Sequence, residues 1–186
     1  IHRKYRKPLV VMTPKSLLRH KMAISSKKDF LKGSSFHRIL WDDAQLGISS
    51  TTLLQDEKIK KVVICSGKVY FDLLQERDFR KINDIYLLRI EQFYPFPAMS
   101  LTKELKRFKN AIICWCQEEP KNQGAWSFIE PNIEWILRKI KSKASRPSYA
   151  GRTASASPAT GLAAQHKDQQ EKLIIEALDL LGEYHD

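Results

Sequence analysis

The sequence predicts an α/β domain with a mostly parallel sheet and helices on both faces. Apolar runs at 61–65, 85–90 and 111–116 alternate with helix-like stretches at 68–81, 101–108 and 126–140. The runs are short and bounded by turn residues, as buried strands are, while the longer stretches carry apolar residues at helical spacing. One helix between successive strands is the connection that parallel pairing requires.

Taken in order, Pro8-Leu9-Val10-Val11-Met12-Thr13 reads as a first strand and 14–20 as a short helix. Thr13 stands at the expected N-cap and Pro14 at the first helical position, where a missing N–H costs nothing. Residues 21–35 are polar and basic, and an exposed excursion is expected over 21–55. Within it 36–42 reads as an edge segment, and 46–55 has no clear period. Strand 61–65 ends in Ser66-Gly67, a turn that opens helix 68–81, with Val69, Leu73, Leu74 and Phe79 near one side. Strand 85–90 ends at Glu91-Gln92. In helix 101–108, Leu101, Leu105 and Phe108 recur at i, i+4 and i+7. Run 111–116 is the most apolar strand. Pro131 marks a kink or a new first turn in 126–140. Residues 147–151 form a short last strand. Ser157-Pro158 is the expected cap of a closing helix whose stripe is Leu173, Ile174, Ala177, Leu178 and Leu181.

A chain of 186 residues suits a single domain with an ordinary core. No apolar run approaches the length of a membrane span. The N-terminus lacks a methionine and an apolar segment behind its charges, so it is not a secretory signal, and a cut piece of a longer polypeptide is expected. The net charge of +11 is uneven: residues 1–38 hold 11 Lys or Arg against Asp29, and the remainder is nearly balanced. That basic end suits phosphates, an acidic partner domain or solvent. Cys65, Cys114 and Cys116 fall in strands, with Cys114 and Cys116 on one face, and read as buried free thiols of a reducing compartment.

Four places offer chemistry. Ser66-Gly67-Lys68 opens a helix after a buried strand and is either a glycine turn or a phosphate contact; it lacks the P-loop spacing. Glu118 and Glu119, beside Lys121, Asn122 and Gln123, follow the apolar run. They read as an acid–base pair or as contact and solvated acids. Tyr149 through Gly161 is rich in small hydroxyl residues and reads as a packed loop and cap, without a nucleophile-elbow pattern. At the start of helix 14–20, Thr13, Lys15, Ser16 and Arg19 form an anion-binding candidate, because Lys15 and Arg19 at i, i+4 face one way on a helix. Arg77 and Arg80 read as ordinary surface charge. The scattered histidines suggest no metal site.

The strings VVMTPKSLLRH, CSGKVYFDLLQER, LLRIEQFYPFP, WCQEEPKNQGAW (115–126) and YAGRTASASPATG (149–161) are long and unusual. Together they resemble the C-terminal domain of the thiamine-diphosphate-dependent decarboxylating component of 2-oxoglutarate dehydrogenase, in the transketolase superfamily. The resemblance covers nearly the whole chain and is weakest over 21–55. It implies a three-layer α/β/α sandwich of the transketolase C-terminal-domain type, a largely parallel five-stranded sheet with one antiparallel edge strand.

It further implies an enzyme that decarboxylates 2-oxoglutarate and succinylates a lipoyl group, in the bacterial cytoplasm or mitochondrial matrix. Thiamine diphosphate and Mg2+ belong to preceding domains, so no catalytic residue and no metal ligand is expected here. Expected partners are those preceding domains, a second copy in a homodimer, the lipoyl acyltransferase and dihydrolipoyl dehydrogenase. Glu118, Glu119, Asn122, Gln123, Trp126 and Arg152 become domain-interface candidates. Thr13, Lys15, Ser16 and Arg19 become candidate contacts for an adenine-containing effector. The same domain of a 2-oxoadipate dehydrogenase is the near alternative; a basic nucleic-acid-binding module is a remote one.

Overall fold

The computed structural model describes residues 3–179, which divide into two units, one ending at Ser35 and one beginning at Phe36. In the first, the strand expected at 8–13 does not form. Leu9, Val10, Val11 and Met12 are 69–92% exposed, and no strand pairs with them among the described residues. An extended segment without a partner leaves its backbone groups to water. The expected helix shrinks to a single 3-10 turn, Lys15–Leu17, capped by Pro14 in an extended conformation, with no side-chain cap from Thr13. So short a helix gains too little from its own hydrogen bonds to offset nucleation, and Leu18 is 67% exposed. A second turn, Lys27–Phe30, carries a capping box: Ser26 Oγ accepts from Lys28 N–H and Asp29 Oδ2 accepts from Ser26 N–H. Asp29, the one acid of this basic end, is thereby committed to a local cap.

The second unit holds one sheet, β1 (Ile39–Leu40), β2 (Lys61–Cys65), β3 (Ile85–Ile90), β4 (Ile112–Pro120) and β5 (Ser148–Arg152), in the order β1-β3-β2-β4-β5. β2 pairs in parallel with β3 and β4, β4 pairs in parallel with β5, and β1 runs antiparallel to β3 at the edge. This is the mixed five-stranded sheet expected above.

Helices α1 (Val69–Phe79), α2 (Ala98–Leu105), α3 (Trp126–Ile140) and α4 (Ala163–Leu178) supply the outer layers. Alternation along the strands divides the core. Val62, Ile64, Tyr86, Leu88, Ile113 and Trp115 join one cluster with the apolar stripes of α2 and α3. Val63, Cys65, Leu87, Cys114 and Cys116 face the other way, where α1 and α4 pack. Every β2 residue is buried, as a central strand covered on both faces must be. Full burial of each Val or Ile there contributes about 1.5–3 kcal/mol. β2 even buries its cation: Lys61 Nζ reaches the carbonyls of Glu176 (3.1 Å) and Asp179 (2.7 Å), satisfying the C-terminal end of α4.

Four local expectations need correction. Phe79 is 81% exposed and Arg77 is fully buried, the reverse of the sequence reading. At about 100° per residue, Arg77 falls within the stripe of Val69, Tyr70, Leu73 and Leu74, and Phe79 lies roughly opposite. Arg77 pairs through both terminal nitrogens with the buried carboxylate of Asp42, the Nη2–Oδ1 bond being 2.9 Å. Asp42 also accepts from the N–H of Leu87 (2.7 Å) and Ala44 (2.8 Å). Within the excursion expected over 21–55, the part from Phe36 on is therefore tied to the sheet at Asp42 and Asp43, which are buried. Finally, α4 begins at Ala163, after Leu162 and without a side-chain cap, rather than at Ser157-Pro158. Its stripe buries Leu173, Ala177 and Leu178; Leu181 lies outside the described residues. Pro131 starts no new helix; it lies inside α3, at an exposed position.

Candidate functional site

The chemistry gathers where β2, β3 and β4 end, the edge at which open α/β sheets place their functional groups. A cleft of about 500 Å³ opens there, walled by Phe93, Tyr94 and Phe128, with Trp115, Gln117 and Glu119 from β4. Gly67 turns the chain from β2 into α1 at φ +74°, a conformation that favours glycine. The adjoining cation, Lys68, forms an ion pair with Glu118. Ser66-Gly67-Lys68 is thus a turn whose charge is already matched by a carboxylate.

The two glutamates do not work as a pair. Glu118 faces α1 and α4, held by Lys68 and by Gln170 Nε2 at 3.0 Å, which also donates to Asp72 at 2.9 Å. Glu119 is exposed and lines the cleft. Successive side chains of an extended strand point to opposite faces, so two adjacent carboxylates at a strand end are separated by the backbone itself.

What organises the loop is Gln117, which the sequence reading passed over. Its Oε1 accepts from Trp115 Nε1 (2.9 Å) and from the N–H groups of Ala125 (3.2 Å) and Trp126 (3.1 Å). Its Nε2 faces the carbonyls of Glu119 (3.2 Å), Pro120 (3.2 Å) and Gln123 (2.8 Å). One buried amide thus caps the start of α3, which has no cap at Ala125, and closes the loop from β4. The signal available was a lone amide between a buried strand and a loop that must turn back to a helix.

Two glycines let this packing form. A Cβ on Gly124, already at φ +67°, would stand 3.0 Å from the Gln117 amide. A Cβ on Gly151 would stand 2.5 Å from Tyr149 Oη and 2.8 Å from the Gln117 carbonyl. Tyr149 Oη lies within hydrogen-bond reach of the carbonyls of Glu119 (3.2 Å) and Arg152 (3.1 Å), and burial pushes its pKa up.

The remaining interface candidates mostly serve contacts within the chain. Asn122 clasps Ser155 in both directions, donating to its carbonyl and accepting from its N–H at 3.0 Å each. Gln123 Nε2 donates to the same carbonyl at 3.1 Å. Trp126 is 8% exposed, belongs to the core and lies 5.1 Å from the Tyr149 ring. Arg152, 9% exposed, donates from Nη2 to His166 Nδ1 (3.0 Å) and Gln170 Oε1 (3.3 Å).

Thr13, Lys15, Ser16 and Arg19 are all exposed. The 3-10 turn ends before Arg19, so the i, i+4 alignment of Lys15 and Arg19 is not formed. The three cysteines are buried and free, Cys114 and Cys116 share a face, and burial pushes all three thiols up, away from thiolate chemistry. Among the described residues no three His, Cys, Asp or Glu side chains converge as metal ligands, and no helix is long and apolar enough to cross a membrane.

The chain is 58% identical over 177 residues to the 2-oxoglutarate dehydrogenase E1 components of Brucella anthropi, Brucella ovis and Brucella abortus. The alignments cover 95% of this chain and 18% of each relative, so the chain spans about a fifth of their length. The family described as 2-oxoglutarate dehydrogenase C-terminal matches residues 24–178, a span that takes in the whole sheet, all four helices and the Gln117-centred loop. The chain therefore belongs to the 2-oxoglutarate dehydrogenase C-terminal family.

Proposed function

We propose that this chain acts as the C-terminal domain of a larger enzyme that decarboxylates 2-oxoglutarate and succinylates the lipoyl group of an acyltransferase partner. Its task there is to pack against the preceding domains and support the dimer, and dihydrolipoyl dehydrogenase completes the complex. The observation that carries this reading is the way the edge of the sheet is built. Glu118 is neutralised by Lys68, and the loop is fastened by Gln117 and by the Asn122–Ser155 clasp. Groups that are locked together in this way hold a shape; they are not poised to move protons.

Around them the cleft presents apolar walls. Tyr94 is 85% exposed and Phe128 is 41% exposed, a surface suited to a neighbouring domain. The residues at this edge do not fit a magnesium–diphosphate group, because Glu118 is engaged and Glu119 stands alone. Thiamine diphosphate and Mg2+ are accordingly assigned to the other domains, where the cofactor would stabilise the carbanion left by decarboxylation. Glu119 and the cleft walls form the domain-facing surface, while Asn122, Gln123, Trp126 and Arg152 shape it from behind. Thr13, Lys15, Ser16 and Arg19 offer an exposed basic segment to an acidic surface or an anionic effector. Buried free thiols suit a reducing compartment, the bacterial cytoplasm or the mitochondrial matrix.

Two variants in the full-length polypeptide test this reading. Glu119→Gln should leave 2-oxoglutarate turnover within about twofold of the parent. Phe128→Asp should lower the temperature at which the assembled enzyme loses activity, because it places a charge in the apolar contact. Loss of turnover in Glu119→Gln together with a silent Phe128→Asp would overturn the assignment.

A further inference from the structure

A groove of about 310 Å³ runs where α2 and α3 lie side by side. Its floor is apolar: Met99 is 89% exposed and Trp135 is 49% exposed. Through Ala98 and Met99 it continues into a neighbouring hollow of about 350 Å³, walled by Phe96. Large adaptable side chains left uncovered on a helical surface mark a place where a partner's apolar residue can displace water. Trp135 and Lys139 lie about two and three turns along α3 beyond Phe128, so the groove is distinct from the cleft at the edge of the sheet.

The charge around the groove is one-sided. Lys103, Lys106 and Lys139 rim it, Arg38 stands at the adjoining hollow, and no acid lines either one. All four cations are exposed, and none has an ion pair among the described contacts. Lys139 Nζ rests 4.8 Å from the centre of the Trp135 ring. Every acid of α2 and α3, by contrast, is already taken by an arginine: Glu104 by Arg107, Glu130 by Arg146 at 2.7 Å and Glu134 by Arg138 at 3.3 Å. The two helices neutralise their own carboxylates and leave an unmatched positive rim around an apolar floor. Solvated lysines need no such floor, and apolar packing alone gains nothing from such a rim.

We infer that this groove docks an acidic segment of another polypeptide. A bulky apolar side chain of that segment seats against Trp135 and Met99, while its carboxylates meet Lys103, Lys106 and Lys139. Charge decides between the occupants. A second copy of this chain, with a net charge of +11, would bring more positive charge to a positive rim. An acidic segment is drawn to it instead, and burial of a half-exposed tryptophan supplies the anchor. Glu119 and Phe128 take no part, so the docking groove and the packing role of the cleft stand or fall separately.

The test is fluorescence anisotropy of a labelled peptide of about twelve residues, a central leucine–phenylalanine pair flanked by aspartates and glutamates. It is titrated with the 186-residue chain and with the full-length enzyme, and saturable binding to both is expected. Lys103→Gln combined with Lys106→Gln should weaken the peptide about fivefold. Lys167→Gln, on α4, should leave it unchanged. Met99→Asp places an acid in the first turn of α2, where it favours the helix, and should weaken the peptide about tenfold. An unchanged affinity in Met99→Asp would overturn the site. So would equal binding by a peptide with its acids changed to amides, or with its leucine and phenylalanine changed to alanine. Single-stranded DNA of the same charge binding as tightly as the peptide would reduce the groove to a general polyanion surface and overturn it too. Binding to the 186-residue chain but not to the full-length enzyme would give the groove to a preceding domain and overturn the separate partner.

Discussion

Replacing Gln117 by alanine should cost more than any other single change to a polar side chain of the loop. Gln117 is 3% exposed, and its amide meets six partners within 3.2 Å. Truncation orphans Trp115 Nε1–H and the Trp126 N–H, both in buried residues. Each buried orphan costs about 1–3 kcal/mol, and loss of the cap on α3 belongs to the same account. A total of about 3–5 kcal/mol follows, a fall in melting temperature of about 10 °C for a chain of this size.

Urea unfolding followed by tryptophan fluorescence is well placed to read this, since Trp115 and Trp126 both bond to the missing group. Gln117→Glu sharpens the test. Its second oxygen replaces Nε2 and faces three carbonyls, so the ionised form is repelled and its folded-state pKa is raised. A raised pKa means that the contribution is fully present below the unfolded value of about 4.3 and is lost as pH rises through the folded value. The variant should therefore be relatively more stable in acid than at neutral pH. A loss below about 1 kcal/mol for the alanine variant, or a Gln117→Glu variant without pH dependence, would refute the hub.

Gly151→Ala drives a methyl group into Tyr149 Oη and the Gln117 carbonyl. Overpacking of this kind costs about 1–3 kcal/mol, and Gly151→Ala combined with Tyr149→Phe should recover only part of it, because the carbonyl clash remains. Arg77→Met leaves Asp42 charged and buried, a loss of about 3–5 kcal/mol by denaturant unfolding; adding Asp42→Asn should lessen that loss. At Asp78 burial opposes the charge, but the hydroxyls of Thr51, Ser49 and Ser50 outweigh it and lower the carboxyl pKa. Its contribution is thus present above the unfolded value of about 3.9 and disappears as pH falls through the lowered folded value. Asp78→Asn should flatten the acid limb of the stability curve measured by thermal unfolding.

The sheet was legible in the sequence because β2, β3 and β4 are covered on both faces and their apolar runs admit no other reading. The elements that failed lacked such coverage. Val10 and Val11 favour a strand by composition, yet a strand exists only where a neighbour pairs with it. Residues 14–20 carry a good start signal without the packed face that sustains a short helix. Arg77 was misread by residue type, although its angular position in α1 placed it in the buried stripe. Glu118 and Glu119 drew attention as charges, while the residue that shapes the loop was the uncharged Gln117. Its role depends on carbonyls and N–H groups that only the folded backbone brings together.

The central claim is that this chain shapes and supports an active site it does not contain. The most direct measurement supplies the purified 186-residue chain with 2-oxoglutarate, thiamine diphosphate and Mg2+ and follows release of carbon dioxide. The account predicts none above the protein-free control, alongside ready release by the full-length enzyme. Thiamine-dependent turnover by the 186-residue chain alone would contradict it.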